Sequence, residues 1–184
     1  MRRLGLLLYL GLCLGASQTP DFLFYDLNDI PRRPLQANGT KGTVLLFYWH
    51  DCPVCNSYAP ELTRISNVYT NFSFYIVQVD PELTRADAKR HVAEYGLKAP
   101  VLLDPHHQLV KWAKASVTPE AVVLGPDREI RYQGRIDDLY AGPGKKRSAA
   151  TQHDLRNVLE AMRSNKPVKM SKTKAIGCLI QDSK

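Results

Sequence analysis

Long apolar runs are scarce in this chain. The longest, at 4–14, holds 11 residues, about half of the ~20 that a membrane-spanning helix needs. Internal repeats and low-complexity blocks are absent, which excludes solenoids and repeat arrays. No long polar tract interrupts a composition of 44% hydrophobic and 23% charged residues, so a wholly disordered chain is excluded. Cysteines number four in 184 residues. The late basic clusters, Lys145-Lys146-Arg147 and Lys166, Lys169, Lys172 and Lys174, carry no interleaved aromatics. They read as solvated surface, not as a nucleic-acid platform.

What is present begins with a targeting signal. Arg2 and Arg3 precede the apolar run, and Gly15, Ala16 and Ser17 follow it, the three-part layout of a secretory signal peptide. Residues 1–18 are therefore expected to direct export to the periplasm or the extracellular space. Membrane contact is expected only through this segment if it stays uncleaved. Its loss takes Cys13 away and lowers the basic count from 25 to 23 against 18 acidic residues. Three cysteines remain, Cys52, Cys55 and Cys178. An odd number points to one reactive pair and one thiol with a separate job. The remaining length suits one domain at 19–164 with a real core, followed by a basic tail at 165–184 that carries Cys178.

Periodicity gives the order of elements. The apolar and aromatic run 43–49, bounded by Gly42 and Asp51, reads as a buried strand. Residues 52–69 show helical spacing, with Tyr58, Leu62 and Ile65 on one side and Pro60 as a kink. Further strands are expected at 22–27, 72–79 and 101–103, and helices at 85–95, stopped by Gly96, and 108–115. A hairpin at 121–124 and 129–135 turns at Gly125-Pro126-Asp127-Arg128, and Asp137-Asp138 end it and turn the chain. Residues 142–146 read as a loop. A last amphipathic helix runs from 151 or 152 to 163, with Leu155, Val158, Leu159 and Met162 inward. Alternating strands and helices followed by a hairpin and helix imply an α/β sandwich with a mixed central sheet.

The chemistry concentrates in Trp49-His50-Asp51-Cys52-Pro53-Val54-Cys55. Here a Cys-X-X-Cys pair follows a buried strand directly and opens a helix. That puts Cys52 where unsatisfied backbone N–H groups and the helix dipole favour negative charge. A thiolate is the attacking species, so this position activates Cys52. Cys55, one turn on, is placed to resolve a mixed disulfide formed at Cys52. Pro53 fits the first turn, where a missing N–H costs nothing.

On these residues the chain resembles the thioredoxin-fold redoxins, in the peroxiredoxin-like branch of the alkyl hydroperoxide reductase and thiol-specific antioxidant family. Lys41-Gly42-Thr43-Val44-Leu45-Leu46-Phe47 resembles their first core strand, and Cys52-Pro53-Val54-Cys55 with Ala59-Pro60-Glu61-Leu62 their active-site helix. Thr118-Pro119 before Glu120-Ala121-Val122-Val123-Leu124 resembles their cis-proline strand. The likeness spans about residues 21–164. It implies a thioredoxin-like three-layer α/β/α sandwich with a redoxin-type insertion at 81–116. It also implies a substrate site in which Thr118 and Pro119 offer backbone to an incoming peptide, and no cofactor. Three departures stand out. Asp51 replaces the usual aromatic before the first cysteine, Leu46 occupies the position of a buried carboxylate, and no proline and threonine lead into Cys52 as in peroxiredoxins.

Three functions follow. The first is an exported thiol–disulfide oxidoreductase that uses Cys52 and Cys55 on protein thiols or disulfides, with a redox partner protein. The second is a peroxiredoxin-like thiol peroxidase. The third is a copper- or zinc-binding module built from His50, Cys52, Cys55 and Cys178. Cys178 sits in the apolar island Ile176-Gly177-Cys178-Leu179-Ile180. It is a candidate third redox thiol, a link to a partner, or a small residue buried where the tail docks. His91 and His106-His107 are expected at the surface, and Tyr48 and Trp49 in the core.

Overall fold

The computed structural model describes residues 20–181, so the expected signal peptide lies outside the described residues. Two short strands, β1 (Phe24–Tyr25) and β2 (Pro31–Arg32), pair antiparallel ahead of the main sheet. Then come β3 (Thr43–Tyr48), α1 (Pro53–Val68), β4 (Ser73–Gln78), α2 (Arg85–Tyr95), β5 (Val101–Leu103), α3 (Gln108–Ala113) and β6 (Val117–Thr118). The chain continues through β7 (Glu120–Leu124), β8 (Ile130–Gly134), β9 (Tyr140–Gly142), β10 (Lys145–Lys146), α4 (Asp154–Arg163) and β11 (Cys178–Leu179).

The central sheet has five strands in the order β5-β4-β3-β7-β8. β3, β4 and β5 run parallel, and β7 and β8 are antiparallel to their neighbours. All six residues of β3 are buried because helices cover both faces, which is why its sequence is a continuous apolar run without alternation. Val44, Leu46 and Tyr48 face α1 and α4, packing with Leu62, Ile65, Leu155 and Leu159. Leu45 and Phe47 face α3 and the N-terminal segment, packing with Leu109, Val110, Phe24 and Leu35. This is the α/β sandwich with a mixed central sheet that the alternation of elements predicts, in the three-layer form that the resemblance implies.

α2 ends at Gly96, whose left-handed backbone (φ 63°) caps it as expected. Other expectations change. Residues 142–146 are not a plain loop, since β9 and β10 pair across them. Asp137 and Asp138 are buried and do more than turn the chain. Asp138 accepts from the amides of Thr151 and Gln152 and from the Thr151 hydroxyl, ahead of α4. Asp137 accepts from the Tyr58 hydroxyl at 2.5 Å, tying the hairpin end to α1. His91 and His107 are buried rather than on the surface. Both satisfy a ring nitrogen indoors, His107 Nε2 with the Val79 carbonyl at 2.7 Å and His91 Nε2 with Asn56 Oδ1 at 2.9 Å.

The basic tail lies along the domain. Gln133 donates to the Ser171 carbonyl at 2.9 Å, and Thr173 donates to the Gln133 carbonyl at 3.1 Å, so the tail borders β8. Gly134 permits this approach, because a Cβ there would meet Thr173 Oγ1 at 2.2 Å. The chain then turns back, and β11 adds antiparallel to β6, pairing Cys178 with Thr118 and Leu179 with Val117.

Candidate active site

β3 ends at Tyr48, and a tight turn in which the Cys52 amide donates to the Trp49 carbonyl at 3.0 Å delivers Cys52 to the N-cap of α1. Pro53 opens the helix, no acidic side chain occupies its first turn, and the Cys52 side chain makes no capping hydrogen bond. The sulfur is therefore free for other bonding beside a helix end that favours anions. Asp51, adjacent in sequence, has a side chain 74% exposed, so water screens it.

Facing this sulfur is the β6–β7 junction. The Thr118–Pro119 peptide bond is cis, as the resemblance implies. Thr118 is fully buried, and its carbonyl oxygen lies 3.6 Å from Cys52 Sγ. Cys52 is disulfide-bonded to Cys178, with Cα atoms 6.1 Å apart across 126 residues of sequence. Cys55 is a free, buried thiol. Burial pushes its pKa up to about 12, against hydrogen bonds with the Trp49 backbone and the Thr118 side chain. The four residues singled out in the sequence, Cys52, Cys55, Thr118 and Pro119, thus converge, and Cys178 joins them through the docked tail.

Behind the cysteines lies a polar cluster that sequence reasoning missed. Asn56 Oδ1 accepts from the Tyr48 hydroxyl at 2.9 Å and meets His91 Nε2, while its amide donates to the His50 carbonyl at 2.9 Å. The His91 ring lies against Tyr95 with centroids 4.6 Å apart and meets His50 edge-on at 6.1 Å. Burial first, and His50 second, lower the His91 pKa. His50 itself stands between Asp51 at 3.3 Å and Asp80 at 3.4 Å. The available signal was spacing, since Ala88, His91 and Tyr95 fall on one face of α2. Trp49 is half-buried, packs against the cores on both faces of the sheet, and lines an open groove of about 570 Å³ with Val79, Pro81, Leu179 and Ile180.

Among the described residues, no group of three or more His, Cys, Asp or Glu side chains is placed to hold a metal ion. His50 is flanked by carboxylates, and Cys52 and Cys178 spend their sulfurs on each other.

Residues 16–133 match the model of the AhpC/TSA family. The chain belongs to that family. It is a redoxin of the thioredoxin fold. The chain is similar to the thiol-disulfide oxidoreductase ResA of Bacillus thuringiensis (strain Al Hakam), at 24% identity over 118 residues, covering 64% of this chain and 68% of the relative. ResA of Halalkalibacterium halodurans is 27% identical over 124 residues, covering 65% and 67%. Among solved structures, a hypothetical protein from Sinorhizobium meliloti 1021 superposes with a TM-score of 0.77 at 24% identity, covering 89% of this chain and 91% of its own. A secreted Mycobacterium tuberculosis disulfide oxidoreductase homologous to E. coli DsbE gives a TM-score of 0.57 at 22% identity, covering 77% and 96%. These two structural likenesses establish the fold. Within this AhpC/TSA chain the family match ends at 133, so α4 and the tail that brings Cys178 to the site fall outside it.

Proposed function

We propose that this thiol–disulfide oxidoreductase works outside the cytoplasm, on protein thiols and disulfides, with Cys52 as the attacking sulfur and Cys55 as the resolving one. The observation that carries the reading is the setting of Cys52. Its sulfur sits at a helix N-terminus beneath the Thr118–Pro119 turn, already disulfide-bonded to an extended segment that lies on Val117–Thr118 as an added strand. A protein substrate would present its own cysteine in the same way, through backbone pairing at that edge. In the reducing direction the Cys52 thiolate attacks one sulfur of a substrate disulfide and expels the other as a thiolate. Cys55 then loses its proton and attacks Cys52, releasing the second substrate thiolate and leaving Cys52–Cys55 oxidised. The reverse sequence oxidises a substrate dithiol.

The peroxidase alternative is weaker because no proline and threonine lead into Cys52 as they do in peroxiredoxins. Export rests on the signal layout of residues 1–18, and the secreted M. tuberculosis protein shares the fold. The test is covalent trapping in the host of origin with the full chain. The double variant Cys55→Ser, Cys178→Ser should hold proteins as mixed disulfides at Cys52, and the further change Cys52→Ser should hold none. Equal capture with and without Cys52 refutes the assignment.

A further inference from the structure

The tail is the part of the molecule that the exchange mechanism leaves unused, and it is fitted into the site. Gly177 passes so close to the cis-proline turn that a Cβ would fall 1.9 Å from the Thr118 carbonyl oxygen and 3.1 Å from Pro119 Cδ. Ile180 donates to the Ser116 carbonyl at 3.0 Å, and the Thr118 hydroxyl donates to the Cys178 carbonyl at 3.4 Å. Three cysteines meet here with unequal access. Cys52 and Cys55 are fully buried, whereas Cys178 is half-buried and followed by Leu179, 74% exposed on the wall of the Trp49 groove.

We infer that Cys178 is a shuttle thiol, the sulfur through which an external protein dithiol passes electrons to the buried Cys52. The inference rests on the reading of Cys52 as the redox sulfur and extends it to the partner's point of entry. A thiolate of the partner attacks Cys178 Sγ, and the Cys52–Cys178 bond breaks with its electron pair left on Cys52. The helix end stabilises that thiolate, and a stabilised thiolate leaves faster. The partner's second thiolate then attacks its own sulfur in the mixed disulfide and expels Cys178 as a thiolate, which takes up a proton. The partner dithiol becomes a disulfide, and the Cys52–Cys178 pair gains two electrons. While the tail is docked on β6, burial blocks a direct approach to Cys52 from solvent. The Cys52–Cys55 disulfide left by substrate reduction enters this route when the Cys178 thiolate attacks Cys52 Sγ, forming Cys52–Cys178 and expelling Cys55 as a thiolate that takes up a proton.

The experiment uses the full chain carrying Cys55→Ser, oxidised so that a single disulfide remains, with reduced glutathione as the probe. After brief exposure, acid quenching and alkylation with iodoacetamide, peptide mass spectrometry locates the glutathione. The expected result is glutathione on Cys178 and alkyl on Cys52, in about tenfold excess over the reverse, because the rate follows access to the attacked sulfur. Glutathione mainly on Cys52, or none on Cys178, overturns the inference. So does oxidised wild-type protein that lacks a Cys52–Cys178 bond. Trapping by the double variant lacking Cys178 reports on Cys52 alone, so failure of the shuttle and failure of the exchange reading are distinguishable.

Discussion

Gly177→Ala adds one carbon where the tail crosses the cis-proline turn. The new Cβ would lie 1.9 Å from the Thr118 oxygen and 2.7 Å from its carbonyl carbon, both backbone atoms that cannot swing aside. Ordinary contact requires about 3.5–4 Å, so residues 177–180 must retreat by more than an ångström or undock. Undocking removes the β11–β6 pairing, the Ile180–Ser116 bond and the Thr118–Cys178 bond. At about 1 kcal/mol for each of roughly three hydrogen bonds, the bound tail loses about 3 kcal/mol. That corresponds to roughly a hundredfold lower effective concentration of Cys178 at Cys52. In a glutathione redox buffer, peptide mapping should show the ratio of Cys52–Cys178 to reduced Cys178 falling by about that factor. The thermal midpoint of the reduced domain should hardly move, because the tail docks at the periphery. An unchanged ratio in the variant would refute the claim that close backbone docking assembles the third thiol with the site.

Two further outcomes follow from the buried titratable groups. Cys55, with its pKa pushed up to about 12 by burial, should resist iodoacetamide in the native oxidised protein at pH 8 and react once denaturant is added. Labelling of the native protein at pH 8 would contradict its placement. His91 has its pKa lowered below the usual 6.5, so the unfolded chain takes up its proton first. Stability is complete above pH 6.5 and declines as pH falls toward the folded-state value. His91→Asn should flatten that decline in denaturant titrations run between pH 7 and 5, and an equally steep decline in the variant would count against it.

Much of the fold was legible because burial writes a pattern into side chains. The length and β-rich content of the apolar run before Cys52 favour a buried strand, and Gly96 marks the end of α2. Cys52 and Thr118–Pro119 could likewise be located from the resemblance. For the tail, the apolar island around Cys178 raised docking and a third redox thiol among its readings, but the docking place was not legible, since residues 171–173 and 177–180 dock largely through backbone amides and carbonyls, which any side chain can accompany. Its trace lies in Gly134 and Gly177, each left bare where another strand of chain passes. His91 and His107 were misplaced because polarity alone suggests solvent. Their partners, Asn56 and the Val79 carbonyl, come from distant segments that no local spacing brings together.

The Cys52–Cys178 bond joins the first helix to the far end of the chain, so it closes a ring that takes in nearly the whole domain. A peptidase cut anywhere in 165–170 would leave the severed piece tethered by sulfur, and its departure would wait for a reductant. After such a cut, the fragment's retention or loss on a gel becomes a direct readout of the redox state in the surrounding compartment.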